Sequence, residues 1–298
     1  MRLTLATRRS ALALAQARAW AETLVRMHPG LTLEERHITT SGDRVQDRPL
    51  YEIGGKGLFL KEIEEALLAR EADLAVHSVK DVPAELAPGL VLAAVPPRED
   101  PRDAWVSRSG ASFDELPSGS KVGTSSLRRV TLLRAARPDL VFVPLRGNVD
   151  TRLRKVSDGE IDAIVLAMAG LVRLGRAAEA THTLDPAVSL PAVGQGALGI
   201  ECRAADDALL TLLRVTHDPE TGLAVSVERG VMAAVGGSCR TPVAAYVVRD
   251  ADGRAHLRAM LADEDGSNAR FVEERASWPS TDADARAWGL ELGARLLR

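Results

Sequence analysis

The fold class of this chain is decided by residues 121–155, which read KVGTSSLRRVTLLRAARPDLVFVPLRGNVDTRLRK. Hydrophobic segments at 121–123 and 140–145 each lead into a polar turn, and each turn leads into a helical pattern with basic residues. Strand, turn and helix in this order, repeated, are typical of an α/β sheet. The carboxyl ends of such strands and the first turns of such helices are common sites for anions.

Four arginines of this stretch lie at or just after the two turns: Arg128, Arg129, Arg146 and Arg152. Arginine is preferred where a protein binds carboxylate or phosphate, because its planar guanidinium donates to two oxygens at once. The hydroxyl groups of Thr124, Ser125 and Ser126 precede the first pair. The stretch therefore predicts the wall of a pocket for a multiply charged anionic small molecule. The alternative is a solvated helix face, an interpretation that suits the other basic residues of the stretch: Arg134, Arg137, Arg154 and Lys155.

The totals of the sequence exclude several classes of protein. A length of 298 residues predicts two or three domains, and the formal charge of -3 gives no net basic field. Aromatic residues make up only 3%, so nucleic acid is not the expected partner. No run of about 18 apolar residues occurs, and no membrane span is predicted.

The N-terminal residues and the cysteines bear on the expected compartment. In MRLTLATRRSALALAQ the arginines follow the first apolar stretch, which is not the order of a signal peptide. The two cysteines lie far apart in the sequence. A reducing cytoplasm is therefore the expected setting.

The first part of the chain shows the pattern of an α/β domain. Apolar runs predict strands at residues 3–7, 31–38, 73–79 and 90–95. Helical spacing predicts helices at residues 11–27, with Ser10 as N-cap, and 58–70. Residues 39–57 have no clear period and predict a lid loop.

A second series follows a proline-rich hinge at residues 96–103. Its strands are predicted around Val106 and at residues 121–123, 140–145 and 161–167. A late strand at 197–202 is expected to return, before a helix to about residue 215. Two α/β domains joined by hinge segments predict a cleft between them.

The character of the sequence changes at Pro219. A helix to about residue 234 precedes a meander of antiparallel strands, and Thr281 caps a last helix. The strands of the meander are predicted at residues 241–248, 254–261 and 269–275. The expected domains are residues 1–96 with 197–214, residues 102–190, and residues 219–298 as a small α+β domain.

Two residues outside the arginine-rich stretch could carry chemistry. Asp81 follows a buried-looking strand beside Lys80, where a carboxylate can exchange protons or offset a developing cation; the alternative is a turn-capping aspartate. Cys239 lies in the loop GGSCR, where glycines permit close approach and Arg240 favours the thiolate, so it is a plausible covalent attachment point. The alternative, a buried small hydrophobe, is the interpretation given to Cys202.

The histidines and the remaining glycines predict no further site. The six histidines show no metal-ligand spacing, and no metal site is expected. His77 is interpreted as a packed or pocket-lining residue. Residues 54–57, GGKG, lack the spacing of a phosphate-binding loop and are assigned to the lid.

Several motifs in order resemble the porphobilinogen deaminase family: ATRRSALALAQ, GGKGLFLKEIE, AVHSVKDVP, GTSSLRR, LRGNVDTRL, AGLVRLG, LPAVGQGALGIECR and GGSCRTP. The match runs from about residue 3 to Pro242, and the last domain matches in pattern only. The resemblance implies two α/β domains like type II periplasmic binding proteins and a small C-terminal α+β domain. It implies a cytoplasmic, monomeric transferase without membrane or nucleic-acid partners.

The resemblance also implies the reaction and the cofactor. A dipyrromethane cofactor is attached by a thioether to the loop cysteine, here Cys239. Four porphobilinogen molecules are added with loss of ammonia, and hydrolysis releases linear 1-hydroxymethylbilane. Asp81 matches the catalytic aspartate. The residues expected to bind cofactor and substrate are Arg8, Ser10, Gln16, Ser78, Lys80, Thr124, Ser125, Ser126, Arg128, Arg129, Arg146, Arg152, Arg173 and Gln195. Because each pyrrole carries two carboxylates, a cleft lined with arginine suits the growing chain.

A second hypothesis is a type II solute-binding or effector-sensing module. It would explain the cleft and the arginines, but it would require neither Cys239 nor Asp81. A regulator bound to nucleic acid conflicts with the charge balance.

Overall fold

The computed structural model describes residues 1–44, 59–237 and 241–298. In this part of the chain the strands form three sheets. The helices are α1 (Ala11–Met27), α2 (Ser41–Arg44), α3 (Lys61–Leu68), α4 (Leu127–Ala136), α5 (Val149–Ser157), α6 (Met168–Arg173), α7 (Asp207–Arg214), α8 (Pro219–Ala234) and α9 (Asp282–Arg295). The strands are β1 (Arg2–Arg8), β2 (Thr32–Ile38), β3 (Leu74–Ser78), β4 (Leu90–Ala94), β5 (Asp103–Ser107), β6 (Lys121–Gly123), β7 (Val141–Val143), β8 (Ala163–Ala167), β9 (His182–Thr183), β10 (Leu198–Arg203), β11 (Val243–Arg249), β12 (Arg254–Leu261) and β13 (Arg270–Ser277).

The first sheet has the strand order β2-β1-β3-β10-β4. Strand β1 runs parallel to β2 and β3, whereas β10 runs antiparallel to β3 and β4. Its core contains the fully buried side chains of Leu5, Leu74 and Ile200. Strand β10 belongs to the first sheet but follows all the strands of the second sheet in the sequence. The chain therefore passes from the first sheet to the second after β4 and returns before β10.

The second sheet has the order β7-β6-β8-β5-β9. Strand β6 is parallel to β7 and β8, and β5 is antiparallel to β8. Trp105 lies at the centre of one face and Ile164 on the other, and both are fully buried. The expected sequence of strand, polar turn and helix, twice over, is confirmed by β6 with α4 and by β7 with α5.

The third sheet is the antiparallel meander β11-β12-β13, and α8 and α9 pack against it. The fold class predicted from the sequence is therefore confirmed: two α/β sheets and a small C-terminal antiparallel sheet. Ser10 and Thr281 cap α1 and α9 as expected. In the predicted lid, residues 39–40 connect β2 to α2, which covers Ser41–Arg44. Residues 45–57 lie outside the described part.

The two chain crossings pack against each other and against α8. Arg98, in the first crossing, donates to both carboxylate oxygens of Glu228 at 2.7 and 3.1 Å. Gly194, in the second crossing, donates its N–H to the same carboxylate at 2.7 Å. A Cβ on Gly196 would lie 2.3 Å from the carbonyl oxygen of Glu99, so only glycine permits this contact. The segments predicted as hinges are thus tied to the third unit by a buried ion pair.

Candidate functional site

A cavity of about 490 Å³ lies where the three units meet. The first unit contributes the segment that begins at Lys80 and Asp81, and the second contributes the turn and helix start from Thr124 to Arg129, with Arg152. The third unit contributes Gly236, Gly237 and Thr241. The cavity is therefore the cleft predicted from the sequence, closed on a third side by the C-terminal unit.

Asp81 ends a one-turn 3-10 helix, Val79–Asp81, at the carboxyl end of β3. The turn is fixed by its backbone: the Val79 N–H donates to the Ala197 carbonyl, and the Val82 N–H donates to the Val79 carbonyl, both at 3.0 Å. Val79 is fully buried, whereas Asp81 is half-buried and lines the cavity. A carboxylate on a rigid turn at the cavity wall has the position that acid–base chemistry requires.

A second, smaller cavity of about 60 Å³ shares Asp81 and Phe59 with the first. Its polar lining includes Arg8, Ser10, Gln16, His77 and Ser78. The Gln16 amide donates to the Ser78 hydroxyl at 3.1 Å, and both side chains line this cavity together with Asp81. His77 is buried, and its Nε2 lies 2.7 Å from Glu201 Oε2. It also lines this cavity, which confirms its interpretation as a packed or pocket-lining residue.

Arg8 is held in place before any ligand is bound. Its Nε donates to Asp43 at 3.1 Å, its Nη2 donates to the same carboxylate, and its guanidinium lies 4.1 Å from the centre of the Phe59 ring. Burial would raise the pKa of Asp43, but hydrogen bonds from Arg8 and Thr40 outweigh it and hold that pKa below its usual range. The Asp43 carboxylate thus accepts hydrogen bonds from Arg8 Nε and Nη2, the two donors that could otherwise bind a carboxylate of a ligand.

Lys80 is the cation nearest in sequence to Asp81. Lys80 is exposed to the cavity, and partial desolvation by the cavity walls lowers the pKa of Lys80 to about 8, against the opposing effect of Asp81. Arg129 lowers this pKa further, because two cations facing one cavity repel each other. Lys80 is therefore only partly charged at mildly alkaline pH.

We expect this lysine to set an alkaline limb in the activity profile. A charged Lys80 attracts the carboxylates of an anionic substrate, so kcat/KM should fall as the pH rises through about 8, where the free enzyme loses that proton. Lys80→Arg keeps the charge and should move the limb to higher pH, because the guanidinium pKa exceeds 12. The profile is measured from roughly pH 6 to pH 10. An unchanged limb in Lys80→Arg would assign it to another group.

The hydroxyl-rich turn before α4 is shaped by its own side chains. Ser126 caps α4 by accepting from the Arg129 N–H, and Thr124 accepts from the Ser126 N–H at 3.2 Å. Ser125 donates to the Leu145 carbonyl at 2.8 Å and joins the two strand–turn–helix units. The turn lines the cavity with backbone and hydroxyl donors at a helix N-terminus, where an anion is stabilised.

Arg128 and Arg129 are almost fully buried and share one acidic partner, Asp103. Arg128 Nη1 lies 3.0 Å from Asp103 Oδ2, and Arg129 Nη2 lies 2.6 Å from Asp103 Oδ1. Burial alone would raise the pKa of Asp103, but the two guanidiniums hold it well below its usual range. The single negative charge of Asp103 offsets only one of the two positive charges, so Arg128, Arg129 and Asp103 together retain a net positive charge at the cavity wall.

Arg152 lies close to two other guanidiniums, Arg129 on the same wall and Arg146 outside the cavity lining. Burial, Arg129 and Arg146 lower the pKa of Arg152 to about 10. Arg152 lines the cavity and donates to the Gly147 carbonyl at 2.8 Å. The Nε of Arg129 is buried without a hydrogen-bond partner in the described part of the chain. Mutually repelling cations at a cavity wall fit a site that is completed by an anionic group.

The remaining expected residues divide between the cavity and the chain crossings. Gln195 lines the cavity but its amide donates to the Pro101 carbonyl at 2.6 Å and to Asp103 at 2.9 Å. Arg173 donates to the Gly196 carbonyl at 2.6 Å, and burial lowers its pKa. Among the residues described as lining the two cavities, neither Arg146 nor Arg173 appears. The structure thus brings twelve of the fourteen predicted binding residues to the two cavities.

The predicted attachment cysteine, Cys239, lies outside the described residues, and the nearest described residues are Gly237 and Thr241. Gly236 and Gly237 precede it, Thr241 follows it, and all three line the larger cavity. The other cysteine, Cys202, is fully buried in β10, and burial raises the pKa of its thiol to about 11. Cys202 is therefore a core residue, as the sequence predicts.

Two buried acids that the sequence patterns do not predict accept hydrogen bonds around the site. Asp103, at the end of the predicted hinge, is the first residue of β5 and accepts from Arg128, Arg129, Ser189 and Gln195. Glu228 lies mid-helix in α8 and receives Arg98. The available signal was a carboxylate at the start of an apolar run, DAWV, where an aspartate is out of place unless it is paired.

Comparisons with known proteins agree on one family. The model described as "Porphobilinogen deaminase, dipyromethane cofactor binding domain" matches residues 3–211, and the model of its C-terminal domain matches residues 222–298. A porphobilinogen deaminase of Sorangium cellulosum is 65% identical over 294 residues, 99% of this chain and 98% of that protein. One of Roseiflexus castenholzii is 52% identical over 295 residues, 99% of this chain and 95% of that protein.

Solved structures at lower sequence identity are similar to part of this chain. The VFT2 domain of Bordetella pertussis BvgS has a TM-score of 0.43 at 17% identity and covers 71% of this chain and 84% of its own. The substrate binding domain of a putative molybdenum ABC transporter from Clostridium difficile has a TM-score of 0.44 at 11% identity, with 74% and 94% covered.

Proposed function

The chain belongs to the porphobilinogen deaminase family, and on this premise we propose which of its residues perform the reaction. It is a transferase that condenses porphobilinogen into linear hydroxymethylbilane for tetrapyrrole biosynthesis, with dipyrromethane as cofactor. We propose Asp81 as the catalytic group and Cys239 as the attachment point. The observation that supports both roles is that one cavity is lined by Asp81 and by the residues on either side of Cys239.

Asp81 handles the protons of each condensation. Its carboxyl group protonates the leaving amine of porphobilinogen, so that ammonia departs. Its carboxylate then faces the pyrrole N–H and offsets the positive charge that develops on the ring. The same carboxylate takes up the proton that the coupled ring loses. One group serves all three steps because it lies on a turn whose backbone is fixed by Val79 and Ala197.

The cationic residues bind and align the carboxylates of the rings. Arg129 and Arg152 face the larger cavity with a net positive charge that Asp103 only partly balances. The hydroxyl-rich turn adds donors at the N-terminus of α4. We place Arg8, Ser10, Gln16 and Ser78 around the smaller cavity beside Asp81 as the site of the ring that reacts.

The residues present fit a covalently held dipyrromethane. When bound, the cofactor supplies the nucleophilic pyrrole carbon onto which the first substrate is coupled. The cationic side chains of Arg129 and Arg152 on the cavity wall are suited to its carboxylates. Gly236 lines the larger cavity, and a Cβ there would meet no atom within 4 Å, so the backbone at this position leaves space for a ring.

Arg152→Leu should stall elongation. The growing chain adds two carboxylates with each ring. Arg152 is a half-buried cation of this wall, and among the described residues it donates to a backbone carbonyl, that of Gly147. We expect kcat to fall about tenfold or more, because a desolvated charge-assisted contact contributes about 1.5–3 kcal/mol. Mass spectrometry during turnover should show partly elongated covalent chains.

Arg154→Leu is the matched control for this variant. Arg154 lies on the same helix, two residues away, and is exposed. We expect its kcat to stay within about twofold of the unchanged enzyme, as for surface substitutions in general. Equal effects of both variants, or complete elongation at a normal rate in Arg152→Leu, would contradict the proposed role of Arg152.

The reaction itself is tested by its stoichiometry. The purified protein is supplied with porphobilinogen, and ammonia and linear tetrapyrrole are measured together. We expect four ammonia molecules for each hydroxymethylbilane released. A tightly bound substrate without ammonia release would instead indicate a binding protein.

We also propose that the enzyme works as a monomer in the cytoplasm. The support is the match to the porphobilinogen deaminase family, whose resemblance implies both properties. In the described ranges, no helix has the length and apolar content needed to cross a membrane, and no three His, Cys, Asp or Glu side chains lie together as a metal site would require. Light scattering that gives a dimer mass would contradict the monomer.

A further inference from the structure

A buried arginine of α8 joins the third unit to the catalytic turn. Arg229 is 8% exposed, and its Nη2 donates to the Ala84 carbonyl at 3.0 Å while its Nη1 lies 3.5 Å from the Val82 carbonyl. Both carbonyls belong to the segment that directly follows Asp81. Pro83 between them has no N–H, so this segment has little backbone bonding of its own.

The surroundings of Arg229 are unusual for a buried cation. In the described part of the chain, no carboxylate oxygen lies within ion-pair distance of its guanidinium, whereas Arg98, Arg128 and Arg129 each have one. A buried charge without a carboxylate costs stability, and an apolar residue of similar volume would satisfy the packing. The contact with the two carbonyls is therefore the reason for a guanidinium at this position.

The same face of α8 contacts the catalytic turn once more directly, through Val225, and once indirectly, through Glu228 and Gly194. Val225, one helical turn earlier, packs in a buried cluster with Val79. Glu228 accepts from the Gly194 N–H, and a Cβ on Gly194 would lie 2.3 Å from Val79 Cγ1. Residues 225, 228 and 229 lie on one face of the helix because they are spaced by three and four.

The far end of α8 leads to the attachment loop. The helix ends at Ala234, and Gly236 and Gly237 follow on the wall of the larger cavity, just before Cys239. One helix thus contacts the turn that carries Asp81 and continues into the loop that carries the cysteine.

We propose that Arg229 is a positioning residue that holds the turn of Asp81 at a fixed place relative to the helix leading to Cys239. The inference rests on the roles proposed above for these two residues. In this arrangement the acid and the anchor stay together through every addition. The lengthening chain is then accommodated by the other walls of the cavity.

The test compares Arg229→Met with Arg203→Met. Arg203 also donates to backbone carbonyls, those of Leu67 and Ala72 at 2.8 and 2.7 Å, and in addition to Asp73 at 3.2 Å. It is not among the described residues that line the two cavities. We measure kcat, KM, the mass of the bound primer and hydrogen exchange of residues 79–84. For Arg229→Met we expect kcat to fall about 10- to 100-fold, because a small displacement of a catalytic group has effects of this size. KM should stay within about twofold, the primer should be present, and residues 79–84 should exchange faster.

The control and a second variant complete the test. Arg203→Met should leave kcat per folded molecule within about twofold and exchange at 79–84 unchanged. Arg229→Lys keeps a single donor and should have an intermediate kcat; if Arg229→Met does not fold, this variant decides. An unchanged kcat in the soluble Arg229 variant, or a loss explained by a missing primer alone, would overturn the proposal. If the unsubstituted protein itself carries no primer and makes no product, the proposed function fails, and exchange at 79–84 still decides whether Arg229 holds the turn.

Discussion

Asp81→Asn should abolish turnover while the protein keeps its fold and its bound primer. The amide cannot give a proton to the leaving amine or take one back, and general acid–base groups contribute typically about 10²- to 10⁴-fold. Because Asp81 acts three times in each addition, we expect a loss at the upper end of that range. The thermal midpoint should change little, since the turn is held by backbone bonds of Val79 and Val82 rather than by the carboxylate.

Glu85→Gln is the control for this substitution. Glu85 lines the same cavity four residues further along and is exposed, and the change from carboxylate to amide is chemically identical. We expect its kcat within about twofold of the unchanged enzyme. Initial rates of ammonia release measure both variants. Retained activity in Asp81→Asn would remove Asp81 from the role of catalytic group.

Asp103→Ala should be the most destabilising single substitution in the site. It leaves Arg128 and Arg129 buried without their carboxylate, and removal of one partner from a buried ion pair costs about 3–5 kcal/mol. Urea unfolding measures the loss. Asp139→Ala is the control, because its ion pair with Arg137 is close to the surface and exposed pairs contribute about 0–1 kcal/mol.

The same carboxylate predicts the direction of acid unfolding. The folded pKa of Asp103 is depressed, so its contribution to stability is fully present above the unfolded value of about 3.9 and is lost as the pH falls below it. Asp103→Asn should therefore flatten the dependence of unfolding free energy on pH in the acid range. Equal stability of Asp103→Ala and Asp139→Ala would contradict the account of this buried cluster.

The parts of the fold that were predictable are those with local patterns. Apolar periodicity and the capping residues Ser10 and Thr281 identified the helices and strands, because these signals act within a few residues. Boundaries were less accurate. The strand predicted at 140–145 extends only over Val141–Val143, since Pro144 cannot donate to the sheet, and the helix predicted at 58–70 ends at Leu68, before Arg70 takes a positive φ of 58°.

In the candidate site too, features with a local sequence signal were predictable, and features that depend on distant residues were not. The turn residues Thr124, Ser125 and Ser126 were predictable because ligands of α/β sheets bind at the carboxyl ends of the strands, where the turn into the next helix lies. The shared partner of Arg128 and Arg129 was not, because Asp103 is more than twenty residues away in sequence and its role depends on contacts between separate strands. Sequence spacing likewise does not give the direction of Arg173, whose guanidinium is bound to the Gly196 carbonyl.

The most direct test of the account is the mass of the purified protein and of its cysteine-containing peptides. We predict a mass above that of the polypeptide by one dipyrromethane, with the addition on the peptide that contains Cys239. Cys239→Ala should remove it, and Cys202→Ala, at the buried core position, should retain it. An unmodified mass, or an adduct on the peptide that contains Cys202, would contradict the claim that chain growth starts from Cys239 beside Asp81.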